Sequence, residues 1–138
     1  MVKDLTLSTG SLSLEQVDAL LIHLPFDVSF VDADGFLRYY SESPSRIFKR
    51  TPAAIGRHVE KCHPEKSVGT VRKILEAFKT GRRSQAQFWL ELDGRFIVIH
   101  YIAVRSAEGT YQGCLEVSQD ATKLRALRGE MRLLDWEG

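Results

Sequence analysis

Two Asp-Gly pairs, each set between runs of alternating apolar and polar residues, constrain the fold of this chain more than any other feature. The pairs are Asp34-Gly35 and Asp93-Gly94. Gly adopts a positive φ without strain and Asp tolerates one, so such pairs are typical of tight turns between antiparallel strands. The flanking runs are residues 26–31, 36–40, 86–92 and 96–104. We therefore predict two β-hairpins, and residues 111–117 extend the second into a three-stranded meander.

Two helices are predicted from apolar residues at helical spacing. Ser13 is an N-cap residue with Gln16 three positions later, which predicts a capping box, and Pro25 ends this first helix. Its apolar stripe is Leu14, Val17, Leu20, Leu21 and Leu24. A longer helix is predicted from Pro64 to about residue 80, with Gly81 as its C-terminal cap. Its stripe is Val68, Val71, Ile74, Leu75 and Phe78.

The end of the chain also has helical spacing. Leu124, Leu127, Met131 and Leu134 are separated by three, four and three residues, as in the seam of a coiled coil. This seam could contact a second copy, a partner protein or the domain's own sheet. We expect a homodimer. Its expected interface residues are Leu14, Val17, Leu21, Leu124, Leu127, Met131 and Leu134.

These elements define an α+β fold: a five-stranded antiparallel sheet with helices on one face and flanking N- and C-terminal helices. Short helical turns, one of them beginning at Thr51-Pro52, are expected between the hairpin and the long helix. The expected organisation is a leader (1–12), one domain that includes the first helix (13–121) and a C-terminal amphipathic helix (122–138).

Charge is uneven along the chain. The net charge is +1, which does not favour a nucleic-acid partner, yet residues 46–83 hold eleven Lys/Arg against three Asp/Glu. This segment either forms an ordinary solvated helix face or presents a basic surface to an anionic ligand or acidic partner. With no apolar run near the ~20 residues of a membrane span and no signal-like start, the expected location is the cytoplasm.

Several strings make the chain resemble a known family. They are Leu24-Pro25, residues 27–32, Arg38-Tyr39-Tyr40-Ser41, residues 46–51, Ile55-Gly56-Arg57, Cys62-His63-Pro64, Lys66-Ser67 and residues 133–136. Together with the order of elements, they resemble the PAS domain found C-terminal to hemerythrin-like, cation-binding domains in bacterial and archaeal proteins. The resemblance covers residues 12–136. The short leader leaves open whether this module stands alone or follows other domains.

The resemblance implies a ligand cavity between the long helix and the sheet. The residues expected to line it are Cys62, His63, Lys66, Tyr40, Phe78, Phe88 and His100. Haem, with His63 as its axial ligand, is one possible cofactor. A metal ion held by Cys62 and His63, with His58 or His100, is a weaker alternative because adjacent ligands suit one ion poorly.

A flavin is not favoured, because the cysteine follows Ile55-Gly56-Arg57 too late to match the light-sensing motif. Two further interpretations remain for the segment that contains Cys62 and His63. His63 contacts a backbone carbonyl or carboxylate and fixes the entry to the helix, or the site takes a small organic anion near Lys66 and the helix N-terminus.

The function expected from these features is sensory. A small ligand would bind in the cavity and the signal would leave through the terminal helices to a partner protein. The alternatives are an interaction module without a ligand and a redox switch at Cys62. The chain has no phosphate-binding GxxxxGK[ST] loop, no HExxH and no GxSxG, so an enzyme is not expected.

Overall fold

A five-stranded antiparallel sheet forms the centre of the fold. The computed structural model describes residues 4–44, 46–134 and 136. The strands of the main sheet are β3 (Asp27–Asp32), β4 (Leu37–Tyr40), β5 (Gln85–Leu92), β6 (Arg95–Arg105) and β7 (Tyr111–Asp120), in the order β4-β3-β7-β6-β5. The β3–β4 hairpin and the β5–β6–β7 meander are as predicted. They meet because β3 pairs along its whole length with β7.

The helices also match their predicted positions. Helix α1 (Leu14–His23) begins with the predicted capping box: the Ser13 hydroxyl accepts the Gln16 N–H, and the Gln16 side chain accepts the Ser13 N–H. Helix α2 (Glu65–Lys79) lies on the inner face of the sheet, and 3₁₀ turns at Pro52–Ala54 and Val59–Lys61 precede it. No helix in the described ranges is long and apolar enough to span a membrane.

Helix α2 packs on the inner face of the sheet, whereas a large side chain on the outer face is exposed. The inner face and α2 enclose two groups of buried side chains. One contains Val31, Leu37, Tyr40, Val59 and Val71, and the other contains Phe78, Ile97, Ile99, Tyr101 and Cys114. The side chain of Trp89 lies on the outer face and is 63% exposed.

The predicted C-terminal helix over residues 122–138 is wrong for the part of it that the structure describes. After β7 there is one 3₁₀ turn, Leu124–Ala126, and no helix among residues 127–134. Gly129 adopts a φ of +62°, which ends any helix there. The predicted seam residues Leu124, Leu127, Met131 and Leu134 are all more than half exposed, so they pack against no surface among the described residues that would stabilise a helix.

The expected leader contains regular structure as well. Leu5–Thr6 (β1) pairs with Ser11–Leu12 (β2) in a small antiparallel hairpin whose turn includes Gly10. Two-residue strands are too short to show an alternating pattern, which is why the sequence analysis missed them.

The exit from β7 is held to the start of β6 by Thr122. Its hydroxyl accepts the Phe96 N–H at 2.8 Å and donates to the Asp120 carboxylate at 2.6 Å. We expect Thr122→Ala to lower the free energy of unfolding by about 1–2 kcal/mol, because the half-buried Phe96 N–H loses its acceptor. Urea denaturation measures this, with Thr122→Ser, which keeps the hydroxyl, as the control. Equal losses in the two variants would contradict this role of the hydroxyl.

Candidate functional site

A cavity of about 480 Å³ lies between α2 and the inner face of the sheet. Volumes in this range are typical of small-molecule sites. The cavity is closed by the loop at residues 46–50, the segment at residues 62–64 that leads into α2, and the first two turns of α2. Its apolar lining is Phe48, Val71, Ile74, Phe88, Leu90 and Ile99.

The floor of the cavity changes in polarity across the sheet. The inward side chains that line it are polar on β3 and β7, and mostly apolar on β6 and β5. The polar ones are Asp27, Ser29, Glu116 and Ser118, and the others are Ile99, Tyr101, Phe88 and Leu90. Strand register places these sets side by side, since Ser118 pairs with Ile99 and Glu116 with Tyr101. A ligand in the cavity therefore contacts a polar half and an apolar half.

Arg46 and Asp27 fix the loop that covers the polar half. The guanidinium of Arg46 donates to the carbonyls of Val28, Ser41 and Phe48 and to the Ser29 hydroxyl, at 3.0–3.3 Å. The buried Asp27 carboxylate accepts the N–H groups of Ile47 and Phe48.

Burial lowers the pKa of Arg46, and the Asp27 carboxylate opposes this shift. The hydrogen-bond acceptors of Arg46 among the described residues are uncharged, so none of them neutralises its positive charge by a direct ion pair. The loop thus adds positive potential to the cavity.

An ion pair between Arg50 and Glu116 lies on the polar half of the cavity. The Arg50 Nη2 atom donates to a Glu116 carboxylate oxygen at 3.2 Å, and the two side chains are only 14% and 10% exposed. Burial raises the pKa of the Glu116 carboxyl, and the guanidinium of Arg50 offsets part of this rise. The Nε atom of Arg50 is buried and has no acceptor in the described part of the chain. A buried N–H group without an acceptor among the described residues is commonly satisfied by an ordered water or a ligand.

Two further ionisable groups near this pair are held neutral. Burial raises the pKa of the Tyr101 hydroxyl, and the nearby Glu116 carboxylate raises it further. Burial also raises the pKa of the Cys114 thiol to about 12. Neither group adds negative charge near Arg50 at neutral pH.

The entry to α2 lines the cavity as well. His63 Nδ1 lies 3.0 Å from the Val59 carbonyl oxygen, which confirms the predicted contact of this ring with a backbone carbonyl. Since a carbonyl only accepts, Nδ1 carries the proton and Nε2 remains an acceptor in the neutral ring. Pro64 is the N-cap of α2 and provides no side-chain cap. The exposed Lys66 adds a positive charge beside this helix N-terminus.

Four of the seven predicted site residues line the cavity: Cys62, His63, Lys66 and Phe88. The placement of the other three at the cavity is wrong. Tyr40 is buried in the neighbouring group of core side chains and donates its hydroxyl to Glu42. Phe78 is 1% exposed and packs near the far end of α2. His100 alternates to the outer face, where its Nε2 lies 3.0 Å from the Gln85 side chain.

The polar floor and the 46–50 loop that covers it were not predicted from the sequence. The missed residues are Asp27, Ser29, Arg46, Arg50, Glu116 and Ser118. Glu116 had a detectable signal: it lies between Leu115 and Val117 at an inward position of a strand, where a charged residue indicates a site or an ion pair. Arg50 lay within the basic segment that the sequence analysis noted.

For haem, His63 Nε2 would be the axial ligand, and the propionate groups would be acceptors for the buried Nε of Arg50. The described residues contain no group of three or more His, Cys, Asp or Glu side chains placed to hold a metal ion.

The two cysteines differ in burial. Cys62 is half-buried at the cavity wall, whereas Cys114 is fully buried and its thiol has a raised pKa. We expect a maleimide to modify Cys62 in the native protein and Cys114 only after unfolding, as intact-mass analysis would measure. The Cys62→Ser variant is the control and should remain unmodified when native. Equal labelling of the two thiols would contradict the packing described for Cys114.

Comparisons with known proteins complete the description of the site. The sequence profile of the PAS domain family matches residues 17–122. A C-terminal domain from Streptococcus mutans, known from its crystal structure, is 36% identical to this chain in sequence. The two structures align with a TM-score of 0.86, and the alignment covers 92% of this chain and 98% of that one. No curated protein sequence matches.

Two more distant structures share the fold. The PAS domain of a protein from Colwellia psychrerythraea is 17% identical with a TM-score of 0.57, and the alignment covers 80% of this chain and 98% of that one. The PAS domain of Bordetella pertussis BvgS is 15% identical with a TM-score of 0.57, over 82% and 92% of the two chains.

Proposed function

Because the chain belongs to the PAS domain family, we propose that it is a sensory module whose cavity between α2 and the sheet binds a small organic anion. PAS domains are generally sensory and not catalytic modules. Since members of a fold family differ in their ligands, the choice of an anion depends on this chain's own side chains. The observation that carries it is the buried Arg50, whose Nε lacks an acceptor in the described residues.

The charge of the lining supports an anion. Four cationic side chains contact the cavity, Arg46, Lys49, Arg50 and Lys66, against the two carboxylates of Asp27 and Glu116. The N-terminus of α2 adds a partial positive charge on the same side. A carboxylate or phosphate group would reduce this excess, whereas a cation would increase it.

We propose that the signal leaves through β7. Glu116 and Ser118 contact the cavity from this strand, which ends at Asp120, and the Asp120 carboxylate accepts the hydroxyl of Thr122 just after it. Beyond it, the Arg125 guanidinium stacks 4.1 Å above the Phe96 ring and lies 3.4 Å from the Glu91 carboxylate. A ligand that moves Glu116 would shift the position of β7, and the exposed terminal segment is attached to the end of that strand.

Native mass spectrometry and thermal unfolding with a panel of carboxylates, phosphates and neutral analogues test the proposal. We expect bound mass or a raised Tm with anionic compounds. Thr70 is exposed on α2 and lines the cavity, so Thr70→Phe should fill the cavity and remove the effect. Lys73→Phe places the same side chain on the same helix outside the cavity and is the matched control. Binding that Thr70→Phe leaves unchanged would place the ligand elsewhere and refute the proposal.

A second candidate function, a dimerisation or partner-binding module, is favoured by one observation. Leu127, Met131 and Leu134 are each more than 70% exposed on the terminal segment. Three large apolar side chains so close together usually contact another surface. If they do so here in a homodimer, Met131→Ser with Leu134→Ser should produce a monomer by light scattering, whereas Arg128→Ser should not. A wild-type monomer would rule out the homodimer.

We propose, finally, that the module works together with a hemerythrin-like domain. The strings quoted in the sequence analysis support this association, and the similar Streptococcus mutans structure is itself a C-terminal domain. The encoding genome tests it: a hemerythrin-like domain in the same reading frame or operon is expected, and the absence of both would contradict the association.

A further inference from the structure

We infer that the ligand is an amphipathic monocarboxylate whose carboxylate displaces Glu116 as the partner of Arg50. Binding then transfers one proton from solvent to Glu116. This inference rests on the proposed function and deepens it in two ways. It names the chemical class of the ligand, and it names the event inside the cavity that binding causes.

The amphipathic class follows from the polarity of the floor. Glu116 and Ser118 pair laterally with Tyr101 and Ile99, so the boundary between the polar and apolar halves runs between β7 and β6. On the β6–β5 side the lining residues are Ile99, Phe88 and Leu90, with Ile74 of α2 above them. An alkyl chain or aromatic ring over this half removes apolar surface from water. Its charged end then lies over β3 and β7, below the 46–50 loop.

A single carboxylate suits the polar half. Within the described part of the chain, Arg50 has one hydrogen-bond partner, Glu116, although a guanidinium carries five N–H donors. Its Nε is one of the unused donors. A planar carboxylate accepts two parallel N–H bonds from a guanidinium, whereas Arg50 and Glu116 share one bond at 3.2 Å. The side edge of a guanidinium pairs Nε with Nη2, so a ligand carboxylate that accepts from both atoms competes for the Nη2 group that now donates to Glu116.

Loss of Arg50 leaves Glu116 in a site that disfavours its negative charge. The charged and titratable groups that face Glu116 are Arg50 and Arg46 from the loop, His63 from the α2 entry, Asp27 from β3, Tyr101 from β6 and Cys114 from β7 itself. Burial and the Asp27 carboxylate both raise the pKa of Glu116, and Arg50 is the largest opposing influence. When the ligand takes Arg50, Glu116 accepts a proton from solvent, and the number of buried negative charges is unchanged.

Calorimetric titration with octanoate and phenylacetate tests the inference, with octanamide and phenylacetamide as uncharged controls of the same shape. Titration in two buffers of different ionisation enthalpy measures proton uptake. At a pH between the pKa of Glu116 in the free protein and its pKa in the complex, we expect the wild-type protein to take up nearly one proton. We also expect affinity to fall by about tenfold per pH unit. The amides should bind at least about tenfold more weakly, because a neutral group gains little from a buried cation.

Glu116→Gln separates the exchange from simple binding. The variant keeps the shape of the side chain but competes less for Arg50, so we expect tighter binding of octanoate, no proton uptake and no loss of affinity between pH 6 and pH 8. Carboxylate binding without proton uptake by the wild-type protein would overturn the exchange. Binding of phosphates but not of these carboxylates would overturn the ligand class and leave the proposed function intact. Failure of all anions would refute both.

Discussion

Replacing Arg50 by Met is expected to lower the free energy of unfolding by about 3 kcal/mol near pH 8, because it leaves the buried Glu116 carboxylate without its counter-ion. Both side chains are largely shielded from solvent, so the full cost of an unpaired buried charge applies. Urea denaturation followed by circular dichroism measures the loss.

The loss should depend on pH, and its sign follows from the raised pKa of Glu116. A carboxyl whose folded pKa lies above its unfolded value binds protons more tightly in the folded state. Its contribution to stability is therefore fully present below the unfolded pKa, and it is lost as the pH rises through the folded pKa. Removing Arg50 raises the folded pKa further. Arg50→Met should thus be close to wild type near pH 5 and progressively less stable towards pH 8.

Two control variants make this result specific. Arg50→Met combined with Glu116→Gln removes both charges and should recover most of the lost stability. Arg72→Met breaks an exposed ion pair with Glu60 and should leave stability unchanged, because solvent already screens that pair. A loss in Arg50→Met that is constant between pH 5 and pH 8 would show that Arg50 stabilises the fold by packing and not by its charge.

The sequence predicted the parts of this fold that depend on neighbouring residues. Asp34-Gly35 and Asp93-Gly94 identified both hairpins because turn geometry is decided within four residues. The capping box at Ser13 and the end of α1 before Pro25 are equally local. The apolar stripe of the long helix placed α2 because helical periodicity alone decides which side chains face the sheet.

The polar floor of the cavity could not be predicted in the same way. Asp27 binds backbone groups 20 and 21 residues away, and Arg50 meets Glu116 across 66 residues. Such contacts depend on how β3 and β7 pair, which no local pattern specifies. The prediction of a C-terminal helix failed for the opposite reason. The three-four-three spacing of its apolar residues is a local pattern of helices, but in the described part of the chain these residues are exposed and pack against no surface that would stabilise a helix.

The pairing of β3 with β7 depends on one glycine, and Gly113→Ala is expected to lower the free energy of unfolding by about 3 kcal/mol or more. Gly113 adopts a φ of +146°, which L-residues rarely adopt. A Cβ atom there would overlap the Val31 carbonyl oxygen and lie 2.7 Å from the Phe30 ring. The carbonyl belongs to the sheet backbone and cannot turn away, so the two strands must separate at this point.

Gly69→Ala is the matched control for this substitution. Gly69 lies within α2, and a Cβ atom there would meet no other atom within 4 Å. The same added methyl group should therefore raise stability by up to about 1 kcal/mol, because Ala favours the helix over the unfolded chain. Thermal unfolding and backbone hydrogen exchange at β3 and β7 distinguish the two variants. A Gly113→Ala protein as stable as wild type would mean that β7 tolerates a side chain at the join, and that the two hairpins are held together mainly by α2 and the core beneath it.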